Sequence, residues 1–169
     1  MAVARVLEWI FVFYFLTHIP ITLFFDLQPL LPGVYPSALS DVLTRYTTTF
    51  KDPLLVNPEP WFQSFLYSEA FLQLLFFPVA AYAFWKGSCK WIRIPVIIYT
   101  THVTTTVVAC LAHILFADFS NAKVPSPQTL QERLTLSAFY APYLAIPLVM
   151  LLFVLFSSAY KPVEKKKKK

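Results

Sequence analysis

Long apolar runs alternate with shorter polar stretches along this chain, and the runs occupy residues 6–25, 61–85, 91–116 and 134–156. Each is near the ~20 residues a helix needs to cross the ~30 Å hydrocarbon layer of a bilayer. The pattern predicts an all-α, polytopic membrane protein, a bundle of four transmembrane helices with spans at about 6–26, 61–85, 91–116 and 134–156. Residues 1–160 are expected to form one domain and 161–169 a basic tail. Pro20, Pro78, Pro142 and Pro147 fall inside the runs and predict kinked helices, whose freed carbonyls need partners within the protein.

The longest polar stretch, residues 27–60, contains one further helical pattern. Within Ser37–Phe50, Leu39, Val42, Leu43, Tyr46 and Phe50 recur at helical spacing, which predicts an amphipathic helix lying over one mouth of the bundle. Pro53, Pro58 and Pro60 then set a rigid return into the second span, with Asp52 read as a turn or capping group. Residues 117–133 form a second loop at the same end.

Composition agrees with the pattern. The chain is 57% hydrophobic and 14% charged, against the ~25% charged residues of soluble domains. Its net charge of +5 does not point to nucleic acid, because residues 165–169 are all lysine and the rest of the chain balances. With four spans both termini share a side, and that side carries Arg5, Lys86, Lys90, Arg93, Lys161 and the tail lysines, against Arg45, Lys51, Lys123 and Arg133 on the other. The positive-inside rule therefore predicts cytosolic termini, and the tail is expected to sit against anionic headgroups. The first run exceeds the 7–15-residue core of a cleaved signal and lacks a small-x-small site after it, so it is read as retained. Cys89 and Cys110 are expected at different levels of the membrane, which argues against a disulfide framework.

Chemistry enters through one carboxyl group. Glu69 is the only acid inside the second run, nine residues and roughly 13 Å below the lumenal edge at Pro60. An ionisable side chain at that depth defaults to a functional reading, with a satisfied structural glutamate as the alternative. His18 is expected at a similar depth and Gln73 one turn below Glu69 on the same face. Tyr140 and Tyr143, three residues apart, turn aromatic faces and hydroxyls to one side at this level. In the third span most of the threonines at 100, 101, 104, 105 and 106 are expected to bond back to their own helix, while Thr106 and Tyr99 are candidates to line a cavity. His102 and His113 lack metal-site spacing, and no metal or cofactor is expected. With two glycines in the chain there is no phosphate-cradling loop.

Asp26 closes the first span. On the span alone it reads as a solvated carboxylate at a helix end. The depth count leaves it ~13 Å from Glu69, a gap that only a bend near Pro20 or an inward turn of Asp26 would close. If it closes, like charge and desolvation keep the deeper acid protonated. Glu69 then donates a hydrogen bond to ionised Asp26, which holds a cationic amine. The alternative use is enzymatic, with one acid protonating a double bond and another group removing a proton.

The segments HIPITLFFDLQPLLP, FKDPLL, WFQSFLYSEAFLQLLFFPVAAYAFWKGSCKWIRIP and ERLTLSAFYAPYL, with the lysine tail, resemble the receptor branch of the EXPERA family nearly end to end. The resemblance implies a four-helix protein of the endoplasmic reticulum membrane, homodimeric, with a lipid-accessible pocket for sterols and cationic amphiphilic molecules. It further implies a role in cholesterol homeostasis, with a cholesterol transporter of the Niemann-Pick C type as a partner. Carried over by position, the amine-binding aspartate falls on Asp26, its buried glutamate partner on Glu69, and pocket positions on His18, Gln73, Tyr99, Thr106, Tyr140 and Tyr143. The family's enzyme branch shifts a sterol ring double bond with additional acidic and histidine residues in its pocket. Because Glu69 is the only acid deep within the four apolar runs, Glu8 lying at the start of the first, a receptor is expected here and the sterol isomerase is the alternative.

Overall fold

The computed structural model describes residues 2–161, so the expected tail lies, from Pro162 onward, outside the described residues. Among these residues there is no strand, and four helical segments are long and apolar enough to cross a membrane: Val3–Leu30, Pro60–Lys86, Lys90–Phe116 and Leu130–Phe156. Arg5 donates to the carbonyls of Phe84 and Trp85, and Arg93 to that of Val154, so both chain ends meet the turn between spans two and three. The longer connections gather at the opposite end, called the loop end below.

Span one begins as helix α1, Ala2–Ile21, which runs through Pro20 without breaking. The distortion falls on the next five residues, Thr22–Asp26, which form a π-turn with the Leu27 amide donating to the Thr22 carbonyl at 3.1 Å. A π-turn holds an extra residue and so swings the side chains after it onto another face. Its loosened carbonyls find donors in the loop that follows: Tyr35 Oη donates to Leu23 O at 2.8 Å and Gln28 Nε2 to Phe24 O at 2.5 Å. That satisfies backbone groups which lipid would leave unpaired.

The predicted amphipathic helix is α2, Ser37–Phe50, ended by Lys51 in the left-handed region at φ 55°. A single turn, α3, Pro53–Val56, follows, capped by Asp52, whose Oδ1 accepts from the Leu54 amide at 3.0 Å. Span two starts with proline at its first position, where no amide hydrogen is needed, and comprises α4, Pro60–Ser68, a π-turn Glu69–Gln73, and α5, Leu74–Lys86. Span three is α6, Arg93–Phe116, after a 3₁₀ turn at Lys90–Ile92. Span four is α7, Leu130–Phe156, and starts a turn before its apolar run because Thr129 and Glu132 form a capping box.

α1 packs along α5 and α6 along α7. Two apolar cores result. Phe11, Phe15, Phe77, Phe84, Val96, Met150 and Tyr160 fill the terminal end, while Leu54, Phe62, Leu66, Cys110, Ile114 and Leu136 fill the loop end. At the terminal end Glu8 is buried and fully engaged. Its Oε1 accepts from Tyr160 Oη at 2.6 Å and the Ser88 amide at 3.0 Å, and its Oε2 from Arg5 at 3.0 Å. Gly87 is required beside them, since φ is +78° and a Cβ would lie 2.7 Å from Arg5 Nη1.

Candidate ligand-binding site

Between the two cores lies a cavity of about 300 Å³. The π-turn of span one ends on Asp26 and the π-turn of span two begins on Glu69, so the paired local widenings aim both acids at the same space. Ligand atoms of His18, Asp26 and Glu69 all lie within 4.8 Å of one another. The gap left by counting residues along straight helices is thus closed, by the turn after Pro20 rather than by a break at it.

The polar wall is sparsely hydrogen-bonded. Thr22 Oγ1 donates to Glu69 Oε1 at 2.5 Å, and His18 Nε2 stands 3.6 Å from the same oxygen, beyond hydrogen-bond distance. The Asp26 carboxyl meets that of Glu69 but, among the described residues, no amide or hydroxyl, and His18, only 7% exposed, has no partner for Nδ1. Aromatic packing holds the imidazole instead: Phe77 stacks on it at 4.8 Å, with Tyr143 at 4.9 Å and Tyr14 edge-on at 5.1 Å.

Seven of the eight residues named from the sequence line this cavity: His18, Asp26, Glu69, Gln73, Thr106, Tyr140 and Tyr143. Tyr99 does not. Its hydroxyl pairs with that of Tyr14 at 3.0 Å and its ring packs against Phe15 and Phe76 in the terminal-end core. Thr106 bonds back to Val103 O at 3.0 Å, as Thr100 and Thr105 bond to their own helix, so it offers the cavity chiefly its methyl and spare lone pair. His102 accepts from or donates to Ser68 Oγ at 2.9 Å, tying span three to span two outside the cavity, and His113 packs on Trp61 and Phe119.

Sequence reasoning passed over part of the wall. Cys110 lies one turn beyond Thr106 on the same face, a signal that the i, i+4 rule carries. Phe139 precedes Tyr143 by one turn in the same way, and Tyr46 belongs to the apolar face of α2. Asp52 is more than a cap. It is completely buried, and its Oδ2 accepts from Tyr140 Oη at 2.9 Å and Tyr46 Oη at 3.3 Å, fixing two wall tyrosines from behind. Burial pushes the Asp52 carboxyl above the usual carboxylate range, opposed by the Tyr140 hydroxyl and the Leu54 amide.

The site is therefore a mostly apolar, aromatic chamber with two adjoining carboxyl groups and one imidazole at its polar end. Such a chamber has the chemistry to take an amphiphile, with a cationic group toward the acids and an apolar body against the rings.

Comparison with known proteins agrees with this architecture. Residues 38–154 match the family model for EXPERA (EXPanded EBP superfamily). The chain is 59% identical to Sigma intracellular receptor 2 of Xenopus tropicalis, over 98% of each chain. It is 55% identical to the human protein of that name, over 99% of this chain and 98% of the relative. A more distant relative, Efficient mitochondria targeting-associated protein 19 of Schizosaccharomyces pombe, is 32% identical over 85% of this chain and 72% of its own length. Four apolar spans, near-complete coverage by these relatives and the family match together lead to one statement: the chain belongs to the EXPERA superfamily.

Proposed function

We propose that the protein is an intramembrane receptor for sterols and cationic amphiphilic molecules, acting in cholesterol homeostasis in the endoplasmic reticulum membrane with both termini cytosolic. The observation that carries this reading is the convergence of Asp26 and Glu69, from two π-turns, on one aromatic cavity. Glu69 in its protonated form keeps its Oε1 for the Thr22 hydroxyl and donates through the other oxygen to Asp26. Asp26 stays ionised and holds the amine. Phe139, Tyr140, Tyr143 and the α4 phenylalanines enclose the apolar body. Resemblance to proteins named Sigma intracellular receptor 2 supports the receptor reading. A homodimer, and a cholesterol transporter of the Niemann-Pick C type as partner, complete the proposal by the same resemblance.

One observation favours the second reading, sterol isomerisation: an imidazole and two carboxyls face one apolar cavity, which is acid and base material. A single experiment separates the two. Purified protein is incubated with a sterol bearing a ring double bond at position 8, and in parallel with a tritiated cationic amphiphile. The receptor reading expects saturable amine binding, displaced by sterol, with the double bond unmoved. Conversion to the 7 position that stops in Glu69→Gln would establish the isomerase instead.

A further inference from the structure

The three groups at the polar end of the cavity form a constellation that linear spacing concealed. His18 and Asp26 lie eight residues apart in span one and Glu69 comes from span two, so no sequence motif links them. We propose that His18, Asp26 and Glu69 form a binding site for a divalent transition-metal cation of the zinc class.

Donor chemistry comes first. One imidazole with two carboxylates is a set suited to zinc and its neighbours, whereas magnesium and calcium prefer oxygen donors alone. The geometry is close: His18 Nε2 and Glu69 Oε1 are 3.6 Å apart, near the ~3.4 Å that tetrahedral bonds of about 2.0–2.1 Å impose between ligand atoms. All three donors lie within 4.8 Å of one another, so a small rotation of a carboxyl group completes the set. Thr22 Oγ1, donating to Glu69 Oε1, orients that carboxylate as outer-shell partners of metal ligands do, and Gln73 stands in the same wall as a further oxygen donor.

An independent observation points the same way. His18 is more than nine-tenths buried and lines the cavity, and its Nε2, 3.6 Å from Glu69 Oε1, makes no hydrogen bond among the described residues. Buried polar groups are normally satisfied, and an imidazole clamped by Phe77, Tyr14 and Tyr143 cannot swing out to find a partner. Charge gives the third argument. A +2 cation would displace the proton that the Asp26 and Glu69 carboxyls share and neutralise both carboxylates at once, where an amine neutralises one.

Metal binding does not depend on the receptor reading; mutual exclusion between metal and amine does rest on it. The experiment keeps them apart. The full chain, purified without a polyhistidine tag, is dialysed against zinc chloride across a concentration series, and retained zinc is measured per chain. One saturable site is expected, weakened about 100-fold or more in both His18→Phe, which keeps the aromatic packing, and Asp26→Asn. His113→Phe, outside the site, should retain it. Each variant is scored only against its own thermal unfolding, so Glu69→Gln replaces any that does not fold. Absence of a saturable site, or equal affinity in the folded His18 and Asp26 variants, overturns the proposal. Amine bound simultaneously with zinc refutes only the exclusion, and zinc binding without amine binding leaves the metal site standing while the receptor reading fails.

Discussion

The two ends of the bundle each bury an acid, and they treat it in opposite ways. At the terminal end Glu8 is met by a hydroxyl, an amide and a guanidinium, from Tyr160, Ser88 and Arg5. Midway toward the loop end, Glu69 meets one hydroxyl and Asp26 meets no amide or hydroxyl among the described residues. Both acids sit in helices of similar character, so burial alone does not separate structure from function. What separates them is saturation: an acid whose oxygens the protein itself fills is part of the scaffold, and an acid left short faces a cavity and seeks a partner from outside.

The largest expected effect tests the saturated end. Glu8→Ala strips three hydrogen bonds from a charged acceptor and should lower stability by about 3 kcal/mol in detergent, read as chemical or thermal unfolding. Gly87→Ala should follow at about 2 kcal/mol, since alanine is strained at φ +78° and its Cβ meets the Arg5 guanidinium. Tyr160→Phe, which keeps the ring against Phe84 and Phe153 and removes only the hydroxyl, should cost about 1.5 kcal/mol. Glu69→Gln should behave differently, changing unfolding by less than about 1 kcal/mol while reducing amine affinity roughly tenfold. If Glu69→Gln unfolds the protein as Glu8→Ala does, the contrast collapses.

The smallest effect concerns Asp52. Its carboxyl is raised by burial, so its ionisation is costlier in the folded chain than in the unfolded one. The stability this group contributes is complete below its ordinary value of 3.8 and is lost as pH rises through its raised value. Asp52→Asn should lack that slope, and the stability advantage of wild type over Asp52→Asn should shrink as pH rises from 3.8. An advantage that grew with pH would contradict the assigned direction.

Much of the fold is legible because crossing a bilayer demands length and apolarity, and those are linear properties. The four runs, the amphipathic face of α2 and the proline-led start of span two all follow from spacing. The early start of span four is set by the Thr129 and Glu132 capping box, a local motif just outside the apolar run. The π-turns are another matter. Pro20 marked the neighbourhood of one, but the widening belongs to the residues after it and is sustained by Tyr35 and Gln28, donors from a loop. Tyr99 shares the apolar face of the third span with true cavity residues, yet Tyr14 claims its hydroxyl from another helix. Glu8 resembles an ordinary charge near a helix end because its partners Ser88 and Tyr160 are 80 and 152 residues away in sequence.

The central claim is that Asp26, met by the Glu69 carboxyl but by no amide or guanidinium, holds a cation. Saturation binding of a tritiated cationic amphiphile to Asp26→Asn, alongside wild type and with thermal unfolding of both, tests it directly. The variant is expected to unfold as wild type does and to lose affinity by about 100-fold or more, which corresponds to about 2.7 kcal/mol. A folded Asp26→Asn protein that binds the amine with wild-type affinity would contradict it.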